Sequence, residues 1–496
     1  MKNIPFLLLS LFVLISCENS QEGELEIYAV SYDISPANTG RVILSQSPPF
    51  YKDTQLIITA IAAANHKFSH WEGDISGEED TQSIIVDANK SFIAVFRPLD
   101  TFATEHVVAY DASLIDSSGY VFMMENGQDA AYLVNHDGDK LKEWSFESRL
   151  GNDLEITPSG SLLGSFKVNE PFFSFGGFGG HIKKLSANGS VIWEYVVNTE
   201  NEIAHHDATE MPNGNILIMI WERISEEQFS DIGLNPGHDI FTEKLIEVNP
   251  ETDEVVWQWR SWEHIVQAID PGKPSYGMPS EHPNKINIGY NNMDHGDWMH
   301  ANGIFYDSSK DLIYMSVNFY SEVWVIDHST NIQESPTDQG GQYNRGGDLI
   351  YRFGNPVAFG GDSSSRFLFN NHHPSLVQDT YPGAGNFLIF NNGSNNEQSI
   401  AYELSLPSFS QNMMQTYEAP KSVWSYSHPD LYFPRISGMV RLPNGNTLIC
   451  EGDYGYWEVT AQGKIAWKYS GLGKSFWRGY FYSKNDPRLR LFNLEN

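Results

Sequence analysis

An aromatic-x-aromatic strand that follows a short turn recurs six times along the chain. The pairs are Trp144/Phe146, Trp193/Tyr195, Trp257/Trp259, Tyr351/Phe353, Trp424/Tyr426 and Trp467/Tyr469. Most of the turns carry Gly, Asp or Asn, as in HDGDKLKEW, SANGSVIWEY and TAQGKIAWKY. Short alternating runs bounded by turn residues read as half-buried antiparallel strands. Six copies over roughly 390 residues predict an all-β fold, a six-bladed β-propeller with four strands per blade. The unit exceeds the roughly 40–45 residues of the commonest propellers, so the surplus is expected in loops at 222–243, 263–297 and 329–346. A stack of β-sandwiches would explain the even strand spacing but not six similar closing strands.

A second recurrence points to a site. His206 lies six residues ahead of Pro212 in HHDATEMPNGNILI, and His300 takes the matching place in HANGIFYDSSKDLI. His372 matches in HHPSLVQDTYPGAGNFLI if the loop before Gly385-Asn386 carries an insertion. One polar position repeated in related units means side chains converging on one place. If these strands are innermost, the three histidines face one another across a central channel. His205 and His373 are then expected on the opposite face, because side chains alternate along a strand.

At 496 residues and 41% hydrophobic, the chain can build a sizeable core. Its net charge of −32 disfavours nucleic acid, since phosphate binding needs a basic face. The first residues, MKNIPFLLLSLFVLISC, combine one lysine with an apolar run too short to span a bilayer. Ending in Leu14-Ile15-Ser16-Cys17, the segment 1–17 resembles a bacterial lipoprotein signal whose Cys17 is lipidated; an ordinary signal peptide that happens to contain Cys17 is the plainer alternative. Glu18 follows instead of aspartate, so nothing suggests inner-membrane retention. The expected place is the bacterial cell envelope, at the outer membrane through the lipid, with residues 18–25 as a tether. Cys450 is the only other cysteine and reads as a buried apolar residue without an intramolecular disulfide in the mature chain.

Residues 26–98 form a separate small β-rich unit ahead of the repeats, which occupy 105–496. Its Gly40, Pro48, Phe68, Trp71, Gly73, Asp74, Asn89-Lys90 and Ala94-Val95-Phe96 resemble the bacterial InlB B-repeat type. That resemblance implies a spacer or adhesion module. His66 and His70 are expected at its surface.

The segments HHDATEMPNGNILIMIWER, DWMHANGIFYDSSKDLIYMSVNFYSEVWVIDHST, GGDLIYRFGNPVAFG, FNNHHPSLVQDTYPGAGNFLIFNNG and SGMVRLPNGNTLICEGDYG follow in an order that resembles the bacterial arylsulfate sulfotransferases. Those are propeller enzymes that do without the nucleotide sulfate donor. The resemblance implies that His372 takes the sulfuryl group of a phenolic sulfate as a sulfohistidine, which a phenolic acceptor then discharges, with no cofactor. It places His206 and His300 at the family's other two channel histidines, and Asn302 at an asparagine that contacts the sulfuryl oxygens. The chemistry suits the residue types, because neutral imidazole is a good nucleophile near pH 7 and two steps replace one hard transfer. Donors aimed at the three sulfuryl oxygens supply the rest.

One departure stands out. Where the family carries an arginine, YMSVNFYSEVW has Asn318, a neutral amide in place of a charged clamp. Arg352 in IYRFGNP and Arg435 in FPRISG are candidates to supply that charge, and Arg352 also fits a structural role. Trp298, Phe319 and Tyr320 could stack a phenyl ring or pack the blades, and Asp327-His328 reads as a turn fixture. A three-histidine metal site is an alternative, although no carboxylate or cysteine stands beside the histidines at a ligand spacing. A lipid-anchored, non-catalytic propeller that binds glycan or protein ligands is the other.

Overall fold

The computed structural model describes residues 26–63, 66–98, 105–410, 417–492 and 494. The expected signal segment 1–17 with Cys17, and the tether 18–25, lie outside the described residues. Strands dominate, and the one α-helix among the described residues is the five-residue Glu226–Ser230, started by a Ser225/Gln228 capping box. The chain divides into two compact units after Pro98.

In the first unit, Lys90–Pro98 pairs in parallel with Val30–Ser35 and antiparallel with His66–Gly73. Gly40–Leu44, Thr54–Ala62 and Thr81–Val86 form a second, antiparallel sheet. Several residues of this unit have direct physical roles. Trp71, Ala94 and Phe96 lie in one apolar core, with Phe68 packed against it. Gly73 takes φ 103°, and a Cβ there would meet the Ser91 carbonyl oxygen at 2.6 Å. Asp74 accepts the Ser91 N–H at 2.6 Å, and Asn89 accepts the Ala29 N–H at 2.8 Å. His66 and His70 are part-exposed, and His70 pairs with Glu72 at the surface.

The second unit holds six antiparallel sheets. From the leading strand outward, sheet 1 is Phe476–Ser483, Gly119–Glu125, Ala130–Val134 and Lys140–Ser145. Sheet 2 runs from Leu150–Ile156 to Val191–Val196, and sheet 3 from Glu202–Glu210 to Glu254–Arg260. Sheet 4 runs from Ala301–Asp307 to Tyr351–Phe353, and sheet 5 from Asn371–Leu376 to Lys421–Tyr426. Sheet 6 runs from Gly438–Arg441 to Ile465–Ser470 and gains a fifth strand, Val107–Tyr110. Each leading strand lies beside that of the next sheet, and the sixth returns to the first. The strand Phe476–Ser483 thus completes the sheet whose other three strands lie between residues 119 and 145.

The aromatic repeat now has a reason. Each pair lies on, or at the end of, the fourth strand counted from the leading one, and one member of the pair donates a hydrogen bond to the following sheet. Trp144 donates to the Ala187 carbonyl at 2.9 Å, Trp193 to Asp253 at 2.9 Å and Trp257 to Thr330 at 3.1 Å. Tyr351 donates to the Glu418 carbonyl at 2.6 Å, Trp424 to the Ala461 carbonyl at 2.9 Å and Trp467 to the His136 carbonyl at 2.8 Å. That last bond runs from sheet 6 back to sheet 1. An aromatic ring buries a large apolar area while its polar tip finds a partner, so one residue type both packs the sheet and couples it to its neighbour.

The long loops are packed. Phe229, Ile286, Ile288 and Trp298 join the apolar cluster of sheets 3 and 4. Asp327 accepts the Ser329 N–H and hydroxyl, as a turn fixture should. His328 reaches further, to Asp311 at 2.7 Å and to Glu247 of sheet 3 at 2.9 Å. Burial opposes its charge, but the two carboxylates outweigh burial and raise its pKa from 6.5 to about 9. A pKa raised on folding stabilises fully below the unfolded value and is lost as pH climbs through the folded one. The contribution of His328 to stability in urea denaturation is therefore expected to be about 1–2 kcal/mol smaller at pH 9.5 than at pH 6, after discounting for the part-exposed Asp311. A His328→Gln variant should lose that slope; an unchanged slope would refute the assignment.

Candidate active site

Three leading strands deliver the histidines, from unlike backbones. His206 sits in a bulge between Ala204 and Ala208, with φ 50°. His300 immediately precedes its strand, also with φ 50°, and its carbonyl accepts the Asn318 N–H at 3.2 Å. His372 pairs with Phe390 at the edge of another bulge, beside His373 at φ 58°. Left-handed backbone at a non-glycine residue costs on the order of 1–3 kcal/mol, and its clustering here marks a place where geometry outranks local stability. The rings of His206 and His300 meet edge to face, with centroids 5.0 Å apart. Trp477 of the C-terminal strand packs against His206 at 5.4 Å and His372 at 5.7 Å.

Their protonation differs because their partners differ. Burial lowers His372 to about 3, and lowers His206 well below the ordinary imidazole value with help from His300, His205 and His372. Burial also opposes the charge on His300, but the Asp297 carboxylate bound to its Nδ1 wins and raises it. Two neutral imidazoles thus face one that favours its proton.

Asn392 decides which nitrogen of His372 is free. Its amide NH₂ donates to the carbonyls of Phe433 at 2.8 Å and Ile436 at 2.9 Å, so its oxygen must face His372 Nδ1, 2.7 Å away. Nδ1 therefore carries the proton and Nε2 the lone pair. The Ile436 N–H donates to Nε2 at 3.2 Å, as this tautomer requires. Ile436 holds φ 52°, an outlying conformation for a β-branched residue, and Ser437 follows at 85°.

The amides brace this strand. Asn302 donates to the Asn371 carbonyl at 2.8 Å, joined by Ser316 at 3.1 Å and Asn318 at 3.4 Å. Asn318 also accepts from Asn370 at 2.9 Å. Both asparagines expected to touch substrate thus spend a hydrogen on the backbone next to His372. The expectation that Arg352 supplies the missing charge fails. Its Nε and Nη2 bind Glu322, its Nη1 donates to the Lys285 carbonyl, and it is 0% exposed. A guanidinium this deeply paired serves packing. Arg435 is exposed, 6.0 Å from the Phe433 ring and next in the chain to Ile436. Of the three aromatic candidates, Phe319 reaches the site, stacked on His300 at 4.7 Å. Trp298 packs on Phe229, and buried Tyr320 donates to the Asn287 carbonyl. Cys450 is buried and unpaired.

Asp297, Glu243, Asn392, Trp477 and Arg478 were missed from the sequence. Only Asp297, three residues ahead of His300, had a local signal. Arg478 is buried below the histidines, donating to Asp207 and to the Asn302 carbonyl at 3.1 Å each and pairing with Asp153 at 3.3 Å. Beyond it lies a cavity of about 530 Å³ lined by Glu155, His373 and Tyr480 among others; His206, His300 and His372 do not line it. His373 faces that side, accepting the Met439 N–H at 3.1 Å. Among the described residues, no group of three or more His, Cys, Asp or Glu is arranged to hold a metal ion.

A sequence model of the arylsulfotransferase (ASST) family matches residues 114–470, well over half of the chain. The chain belongs to the arylsulfotransferase family. It is accordingly an aryl sulfotransferase, with a phenolic sulfate as donor and a phenol as acceptor. No curated protein matches this arylsulfotransferase. Among solved structures, a Bacteroides caccae protein of unknown function is 12% identical, over 74% of this chain and 99% of its own, with a TM-score of 0.43. BamB from Moraxella catarrhalis is 12% identical, over 86% and 88%, with a TM-score of 0.29. These likenesses are too distant to bear on activity.

Proposed function

We propose that this arylsulfotransferase works by a ping-pong route through a sulfohistidine on His372, within a six-bladed β-propeller whose channel holds the site. The observation that carries the reading is the Asn392 amide, which holds His372 with its proton on Nδ1 and its lone pair on Nε2. In the first half-reaction Nε2 attacks the donor's sulfur, the S–O bond to the aryl group breaks and a phenoxide departs. In the second, the acceptor oxygen attacks sulfur and the S–N bond breaks. Once Nε2 is bonded to sulfur, the Ile436 N–H loses its acceptor and can turn to a sulfuryl oxygen. His300, whose protonated form the Asp297 carboxylate favours against burial, is the group to supply the positive charge that Asn318 does not, with exposed Arg435 next in the chain to Ile436. The N-terminal segment fits a lipoprotein signal with Cys17 as anchor at the outer membrane, and residues 26–98 a spacer between lipid and enzyme.

The test is a single-turnover reaction with 4-nitrophenyl sulfate, without nucleotide donor, metal or acceptor. One equivalent of nitrophenol is expected, with the sulfuryl group trapped on His372 by peptide mapping. A phenol added afterwards should leave as its sulfate ester. A label on another residue, or nitrophenol released without label, would defeat the assignment.

A further inference from the structure

The exchange of one aryl sulfate for another consumes no proton overall, yet each half-reaction moves one. A departing phenoxide takes a proton and an attacking phenol gives one up. An enzyme that separates the two steps gains from a place to keep that proton, and one stands behind His206. His206 Nδ1 lies 2.9 Å from His205 Nδ1, and His205 Nε2 lies 3.0 Å from Glu243 Oε2. His205 is 0% and Glu243 1% exposed, so bulk solvent does not reach these contacts. The His205 ring lies flat on Trp221, with centroids 3.9 Å apart and planes 4° apart. The Ala301 N–H holds the other carboxyl oxygen of Glu243 at 2.8 Å. Neither group can turn away. His206 Nε2 makes no hydrogen bond among the described residues, and its ring faces His300.

Two proton arrangements fit this geometry. With Glu243 as carboxylic acid, its O–H donates to His205 Nε2, His205 Nδ1–H donates to His206 Nδ1, and His206 Nε2 carries a proton. With Glu243 as carboxylate, both bonds reverse and His206 Nε2 presents a lone pair. We propose that Glu243 stores one proton through the catalytic cycle and passes it through His205 and His206 to the phenolic oxygens.

In the first half-reaction His206 Nε2–H gives its proton to the departing phenoxide. His205 Nδ1–H replaces it at His206 Nδ1, and the Glu243 O–H replaces that one at His205 Nε2, leaving a carboxylate. In the second, the acceptor O–H protonates His206 Nε2 and the chain runs backward to restore the acid. No group in the chain need become an imidazolium. Its surroundings agree: His300, His372 and Arg478 disfavour positive charge on His206, while Asp297 and Asp207 favour it on His205 less than burial opposes it. Burial, and then Asp297, keep the Glu243 carboxyl well above the usual carboxylate range, against the pull of the Ala301 N–H and of His300. His205 and Glu243 act through His206 and are positioning residues.

The inference rests on the sulfohistidine reading, and the experiment separates the two. Single-turnover rates are measured with 4-nitrophenyl sulfate, whose phenoxide leaves well unprotonated, and with phenyl sulfate, whose phenoxide does not. Glu243→Gln keeps the hydrogen bond to His205 but cannot release a proton. It is expected to slow phenyl sulfate about 100-fold more than 4-nitrophenyl sulfate, the range of one general acid. Glu243→Asp should recover most of that difference. Equal slowing of both donors would overturn the relay and leave Glu243 a packing role. Should the variant not fold, the native enzyme still decides: its rates are expected to vary shallowly with leaving-group acidity, and a steep dependence overturns the proposal. Failure to trap sulfate on His372 would sink the underlying reading instead, whatever Glu243 does.

Discussion

Replacing His372 with alanine is expected to remove nitrophenol release and acceptor sulfation together, by at least about 10⁴-fold, because in the proposed mechanism both half-reactions share its Nε2. Asn392→Ala is the more discriminating companion. It leaves the nucleophile in place but frees its ring to take the other tautomer, in which Nε2 carries the proton and has no lone pair for sulfur. A loss on the order of 10²–10³-fold in kcat with a small change in KM is expected, since a group that orients a catalytic imidazole acts on the transition state more than on substrate binding. The variant should still label slowly on His372. Full activity in Asn392→Ala would mean that the Ile436 N–H alone holds the tautomer. Activity in His372→Ala would end the sulfohistidine reading.

Arg478→Met is expected to cost about 3–5 kcal/mol of unfolding free energy, the largest stability effect of any substitution considered. The guanidinium links the C-terminal strand to Asp153 of sheet 2, Asp207 of sheet 3 and the Asn302 carbonyl of sheet 4. Removing it leaves two buried carboxylates without their cation. The deficit should depend on pH with a definite sign. Burial already raises Asp153 from 3.8 to about 7 despite Arg478, and loss of the arginine raises it further. A carboxyl raised on folding binds more protons folded than unfolded, so stability falls as pH rises through that window. The gap between variant and native protein should therefore be smallest below about pH 7, where Asp153 keeps its proton in both, and should widen as pH rises above it, read from urea midpoints. A gap that does not change with pH would place the Asp153 charge elsewhere in the energetics.

Much of this architecture was legible in the chain because repeats announce themselves. The aromatic pairs mark the fourth strand of each sheet, and the physical reason is local: a ring that packs its own sheet and a polar tip that reaches the next. The histidines were legible for a related reason, since turn residues fix the register of the strands that carry them. His206, His300 and His372 do converge, although His300 arrives from ahead of its strand and not from within it. Arg352 kept two readings, clamp or structural residue, because sequence shows a charge but not its partner, and buried Glu322 claims it.

What sequence determined here was composition and order: an acidic, all-β chain with three histidines in related units. What only the tertiary structure decided was protonation. Asn392 orients His372 from just past the end of a neighbouring strand, Asp297 favours the protonated form of His300, and Glu243 sits two hydrogen bonds from His206. Arg478 and Trp477 enter from a C-terminal strand some 270 positions beyond His206, brought back only when the first sheet is completed. Whether an imidazole attacks, donates or relays depends on desolvation and on the partner of its second nitrogen, and both are properties of the closed ring of strands.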